Sequence, residues 1–283
     1  MDMTLITGDL ATTGSQKDLD AALRFITSPA HDKWMAADGR PTLQGGENPI
    51  RLLPGNHDRY GQQWWAAGDD TFDDVFGDYW KIKSRTQLLA QLHDQTTNER
   101  LAIVAADFCL FNNADAKSGK YDYMGQGKAY AHLVEDLKRL TASVRKNADG
   151  PVAVVWVVHF APMYAMLPSV LQLIDDDYLL QAAADSKVEH IFCGHTHHAK
   201  VYTPCGFPTV RIHCAGAACQ AWDAQGNTFH LRDINVHQGK VVSVDHVDFV
   251  WNDDAGGYRR VAGRERKTEQ GTENETGPNK ELG

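Results

Sequence analysis

Apolar positions along the chain fall into two patterns, short continuous runs and runs at helical spacing. "MTLITGD" is a short apolar strand broken at Gly8-Asp9, and "IRLLPGNHD" is a second, stopped by Pro54-Gly55. Between them "SQKDLDAALRFITS" puts Leu19, Ala22, Leu23 and Ile26 on one face, which predicts an amphipathic helix capped near Ser15. Residues 60–100 keep neither period and read as irregular and aromatic-rich, with Trp64, Trp65, Phe72, Phe76, Tyr79 and Trp80. "LAIVAADFCLFN" predicts a strand or hairpin, and Leu133, Leu137, Leu140 and Val144 mark a long helix. "VAVVWVVH" is the most apolar strand and ends at His159; a helical stretch through Leu179 and Leu180 then leads into the strand "VEHIFCGH".

From about Lys200 the pattern becomes all β, in "AKVYTP", "FPTVRIHCA", "TFHLRDINV" and "KVVSVDHVDFV". Residues 253–283 carry few large apolar side chains and read as a disordered polar tail behind one domain, residues 1–252. β-α units followed by a run of antiparallel strands predict an α/β fold of two sheets packed face to face with helices outside.

Composition narrows the function. A chain of 283 residues with 42% hydrophobic and 23% charged residues is an ordinary soluble chain, long enough to bury a sizeable core. The net charge of −9, with no clustered Lys/Arg outside the tail, argues against a nucleic-acid or anionic-membrane platform. It leaves room for an anionic substrate held by metal ions, which bring their own positive charge. Cys109, Cys193, Cys205, Cys214 and Cys219 form an odd set without a C-x-x-C pair, as in a reducing compartment. No apolar run reaches membrane-spanning length, and the first residues lack a signal-type core, so the expected location is cytoplasmic.

The chemistry gathers at strand ends. Four apolar strands finish in Asp9, in Asn56-His57, in His159 and in His195-Thr196-His197. Alone, a Gly-Asp is a turn, and a histidine behind a buried strand is a hydrogen-bonded core group. Together, in an α/β sheet whose sites form at the carboxyl ends of strands, they point to a metal centre built of carboxylate, amide and imidazole donors. In "IFCGHTHHAK" a tight loop past the strand can turn His195 and His197 toward one region, and their alternation along an extended loop lets each face a different ion.

These blocks, Gly8-Asp9, Gly55-Asn56-His57-Asp58, Val157-Val158-His159 and Gly194-His195-Thr196-His197, resemble those of the calcineurin-like metallophosphoesterase superfamily. The resemblance implies a four-layer αββα sandwich, two mixed sheets flanked by helices, with a dinuclear centre of divalent Mn, Fe or Zn at the sheet edge. It implies that Asp9 bridges the ions, that Asn56, His159 and His195 complete one shell, and that His197 serves the other. His57 would be general acid or transition-state stabiliser, and Asp58 would set its loop. The implied reaction is phosphoester hydrolysis by a metal-bound hydroxide, diesters first, on a small-molecule substrate, nucleotides included. "GDLATTG" and "GNHDR" depart from the protein Ser/Thr phosphatase pattern, GDxxDRG and GNHE, toward the cyclic-nucleotide-phosphodiesterase-like branch. A phosphomonoesterase is the alternative within the class, and a catalytically impaired metal-binding protein the alternative outside it.

The superfamily's Asp-x-His block is missing, since none of the thirteen histidines has an aspartate two positions earlier. The expectation that follows is an N-terminally incomplete chain without the first strand, binding one ion rather than two and hydrolysing poorly. Tyr60, Trp64 and Trp65, and after His159 Met163 and Tyr164, are candidates for an aromatic substrate wall. His190, His213, His230 and His246 have no motif context and read as ordinary.

Overall fold

The computed structural model describes residues 3–29, 43, 49–60, 67–80, 84–115, 125–165, 167, 171–218, 227–252 and 257–261. β1 (Thr4–Ile6) and β2 (Ile50–Leu52) pair in parallel, Leu5 opposite Arg51. The helix between them, α1 (Gln16–Thr27), starts at the predicted cap, where the Ser15 side chain accepts from the Asp18 N–H. After a 3-10 turn at His57–Arg59 come α2 (Thr71–Phe76), β3 (Thr86–Asp94), β4 (Glu99–Ala106) and β5 (Gly127–Lys128). Then follow α3 (Ala131–Asn147), β6 (Ala153–Val158), β7 (Leu173–Ile174), α4 (Asp176–Asp185) and β8 (His190–Cys193). The chain continues through β9 (Lys200–Tyr202), β10 (Arg211–Cys214), β11 (Thr228–His237), β12 (Lys240–Asn252) and β13 (Gly257–Arg260).

The large sheet has the order β3-β4-β6-β8-β10-β9. Its four central strands are parallel, with β3 and β9 antiparallel at the edges. Its central strand β6 (AVVWVV) is apolar and buried at every position because both faces are covered. Ala102, Val104 and Ala106 of β4 join Leu133 and Leu137 of α3 and Leu179 and Leu180 of α4 in one core. Leu101, Ile103 and Ala105 face the other core, shared with Leu52 of β2, Leu19 and Ile26 of α1, Phe72 and Phe76 of α2, and Val241 and Val244 of β12. The layered α/β sandwich expected from the sequence is therefore present; its second layer combines the β1-β2 pair with the sheet β11-β12-β13. Each buried Leu or Val contributes roughly 1.5–3 kcal/mol. Trp156 is fully buried with its indole N–H donating to Thr141 Oγ1 at 2.9 Å, so truncation to alanine costs roughly 3–5 kcal/mol.

Three expectations change. Residues 60–100 are not irregular throughout, since α2 and most of the β3-β4 hairpin lie there. Phe72 and Phe76, four apart, give α2 its buried face. The strands after residue 200 are not all antiparallel: β10 extends the large sheet parallel to β8. Residues 257–260, expected in the tail, form β13, where Tyr258 stands opposite Trp251. Residues 262–283 lie outside the described residues.

Candidate metal centre

The carboxyl ends of two parallel pairs, β1-β2 and β6-β8, meet at one place. Two glycines allow it. A Cβ on Gly8, whose φ is +99°, would come within 2.4 Å of His159 Nδ1, and one on Gly55 within 2.3 Å of Asp9 Oδ1. Asp9, His195 and His197 hold left-handed backbone at φ 54°, 63° and 56°. Non-glycine residues adopt this region at a cost, and such strain concentrates at functional sites. The loop of His195 and His197 is thus a tight left-handed turn rather than the extended alternation expected. The Thr196 N–H donating to the Gly194 carbonyl at 2.7 Å closes it.

Asp9, His159 and His195 offer donor atoms that all lie within 4.8 Å of one another. Asn56 Oδ1 joins them, 3.0 Å from His159 Nε2, while Asp9 Oδ2 stands 3.3 Å from the same nitrogen. His159 Nδ1 lies 2.6 Å from the Thr7 carbonyl, an acceptor, so Nδ1 carries the proton. In neutral His159 the Nε2 lone pair then points at two oxygen acceptors. Such an arrangement repels unless Nε2 takes up a proton or a metal ion sits among the donors. Likewise His195 Nε2 donates to the Leu171 carbonyl at 2.9 Å, which leaves Nδ1 as its donor atom. One carboxylate, one amide oxygen and two imidazole nitrogens, each imidazole held in one tautomer by a backbone carbonyl, fit a divalent metal ion.

The electrostatics agree. Burial pushes the Asp9 carboxyl up, but His159, His57 and His195 outweigh it and hold Asp9 well below the usual carboxylate range. Burial pulls His159 down, yet the Asp9 carboxylate carries it above the ordinary histidine value. His195 is pushed down to about 3 by burial and by its neighbour His159, which keeps it a neutral donor.

His57 stands beside this cluster rather than in it. Its backbone N–H donates to Asp9 Oδ1 at 3.0 Å, and its Nδ1 lies 2.8 Å from the Thr12 carbonyl. Asp58 is fully buried and accepts from the N–H groups of Leu10, Ala11 and Gly55 at 3.2, 2.9 and 2.9 Å. It ties the Asp9 loop to the Asn56 loop. Burial and the Asp9 charge push its carboxyl up to about 6, against the three N–H donors that favour the anion. His197 does not join the three-residue donor group. Tyr60 is buried with its hydroxyl 2.7 Å from Asn56 Nδ2, so it is no open substrate wall; Tyr164 is buried too. Trp64 and Trp65 lie outside the described residues.

Arg59 escaped the sequence reading. It is 2% exposed, forks onto Asp73 through Nη1 and Nη2 at 2.7 and 2.8 Å, and reaches Asp107 at 2.9 Å. This network bolts the His57–Arg59 turn to α2 and to the end of β4. Removing one partner of such a buried pair costs roughly 3–5 kcal/mol. Its partners stand 14 and 48 residues away, out of reach of a motif reading.

The family model for calcineurin-like phosphoesterases matches residues 2–199. No curated protein matches the chain. Three solved structures are similar in part. A candidate 5'-nucleotidase from Staphylococcus aureus, in complex with alpha-ketoglutarate, is 11% identical over 75% of this chain and 36% of that one, with a TM-score of 0.34. GAP50, the anchor in the inner membrane complex of Plasmodium, is 14% identical over 91% of this chain and 78% of that one, at 0.45. The sulfate thiohydrolase SoxB of Thermus thermophilus, in complex with glycerol, is 12% identical over 92% and 44%, at 0.37. The chain thus spans less than half the length of the first and third. Among the described residues no helix is long and apolar enough to cross a membrane. The chain belongs to the calcineurin-like phosphoesterase family.

Proposed function

We propose that this calcineurin-like phosphoesterase hydrolyses small phosphodiesters at a divalent-metal centre held by Asp9, Asn56, His159 and His195. The observation that carries the reading is the convergence of the Asp9, His159 and His195 donor atoms within 4.8 Å of one another, with Asn56 Oδ1 3.0 Å from His159 Nε2. When bound, the ion supplies the positive charge that polarises phosphoryl oxygens and lowers the pKa of water. The protein's own residues do the rest. Asp9 keeps 21% of its side chain exposed, so the donor cluster opens to substrate on one side. His57, oriented through Nδ1–H by the Thr12 carbonyl, presents Nε2 and as the imidazolium donates its Nε2 proton to the leaving oxygen or hydrogen-bonds the transition state. Asp58 keeps both loops in register. Without an Asp-x-His block the chain is expected to hold one ion, since a second would have only a shared Asp9 and His197 to hold it.

The preference for diesters rests on "GDLATTG" and "GNHDR". The test reconstitutes the chain with Mn²⁺ and compares bis(p-nitrophenyl) phosphate with p-nitrophenyl phosphate. Faster turnover of the diester is expected. Faster turnover of the monoester would replace this reading with a phosphomonoesterase, and bound metal without turnover of either would leave a metal-binding protein.

A further inference from the structure

We infer that Tyr60 is a positioning residue for the metal centre: its hydroxyl holds the Asn56 carboxamide with the oxygen turned toward the ion. The inference rests on the proposed metal reading and assigns a role to a residue outside the donor set. A carboxamide has two nearly isosteric ends, and only the oxygen can ligate a cation. In the observed orientation Oδ1 faces His159 Nε2 at 3.0 Å and Nδ2 lies 2.7 Å from Tyr60 Oη. The flipped orientation would point Nδ2–H at Nε2 of neutral His159, a hydrogen bond that removes the ligand. Asn56 is 4% exposed, so solvent cannot choose between the two. A hydroxyl oxygen that accepts from Nδ2 favours the ligating orientation. A hydrocarbon there would take that acceptor from Nδ2 and remove the bond that favours the ligating orientation.

The hydroxyl itself is fixed by the way the chain holds Tyr60. The residue caps the 3-10 turn in extended backbone, φ −75° and ψ 126°, and bridges to Ala67. Its carbonyl packs so closely on Gly14 that a Cβ there would approach within 1.9 Å. Its ring meets His57 edge-on at 5.2 Å between centroids. One rigid side chain therefore touches both a proposed ligand and the proposed proton donor.

The test measures Mn²⁺ affinity by equilibrium dialysis with elemental analysis for four chains: wild type, Tyr60→Phe, Asn56→Ala and the double variant. Tyr60→Phe keeps the ring and its packing, and the melting temperature of the metal-free chain checks the fold. Expected is a roughly 10–100-fold weaker Mn²⁺ affinity in Tyr60→Phe, the range for a group that orients a ligand. The turnover number should return to the wild-type value at saturating Mn²⁺. In the Asn56→Ala background the Tyr60 change should have no further effect, because the two act as one unit. Wild-type affinity in Tyr60→Phe, or the same loss with and without Asn56, overturns the role of Tyr60 and leaves the metal site standing. A wild-type chain that binds no Mn²⁺ overturns the metal reading, and this inference with it.

Discussion

His190 and His195 flank the same strand, β8, and their surroundings differ in what the rings' nitrogens meet. At the start of the strand, Arg232 Nη1 donates to His213 Nδ1 at 3.2 Å, so His213 Nε2–H donates to His190 Nδ1 at 2.9 Å. Nearby, the Gly216 N–H donates to His230 Nε2 at 3.1 Å, and His230 Nδ1–H to Asp248 Oδ1 at 2.7 Å. In these bonds donors and acceptors alternate without conflict, on ordinary strand backbone between the two sheets. Past the other end of β8, Asp9, Asn56, His159 and His195 bring oxygen and nitrogen donors together, Asp9 and His195 on left-handed backbone. Both regions are rich in histidine. Only in the second do carboxylate, amide and imidazole donors converge on one point, and that convergence, not the number of imidazoles, separates a ligand set from a polar core.

The largest difference between the regions should come from deleting one histidine in each. His159→Ala should remove bound metal and lower phosphoester hydrolysis beyond the roughly 10²–10⁴-fold range of a general acid–base group. His213→Ala should leave both nearly intact while costing about 1–3 kcal/mol of stability, since Arg232 and His190 lose a buried partner. Elemental analysis, initial rates and urea unfolding read the contrast; equal metal loss in both variants would erase it. Next in size is His57→Ala, expected to lower the turnover number by roughly 10²–10⁴-fold while metal content stays unchanged. Metal loss in that variant would move His57 into the ligand set.

The inter-sheet histidines should also show themselves in the pH profile of stability. Burial, with the Arg211 charge, pushes His190 down to about 4, and burial with Arg232 lowers His213 and His230. Below the unfolded value of about 6.5 the unfolded chain takes up protons that the native cluster refuses, so stability falls as pH falls. Each histidine contributes up to about 1.4 kcal/mol per pH unit, with the window for His190 closing near its folded value. Urea unfolding at steps from pH 7 to 5 should show this decline, and it should be shallower in His213→Ala. Equal slopes in the two chains would assign the decline elsewhere. The smallest effect concerns the edge of the second sheet. Truncation after Asn252 removes β13 and its Tyr258 contact with Trp251, worth roughly 0.2–1 kcal/mol per cross-strand pair. An unchanged melting temperature would show that this strand adds nothing.

What could be read in advance follows the same division. The strands that end at Asp9, Asn56, His159 and His195 are apolar on both faces or stopped by Pro and Gly, and α1 announces itself by period and cap. α2 is too short for its period to show, and β3 alternates weakly because it is an edge strand of the hairpin. β13 has only Tyr258 as a large apolar side chain and takes its place by pairing with β12. At the site, residue types and their order were legible. The left-handed turn at His195–His197, the burial of Tyr60 against Asn56 and the Arg59 network were not, because each depends on groups brought together only by the packed sheets.

The most direct test of the account is an anomalous-scattering map of Mn²⁺-soaked crystals. The account predicts a peak among Asp9, Asn56 Oδ1, His159 Nε2 and His195 Nδ1, at roughly 2.0–2.2 Å from each donor, and none among His190, His213 and His230. A peak at the inter-sheet histidines, or a centre between Asp9 and His159 without metal in a fully soaked crystal, would contradict it.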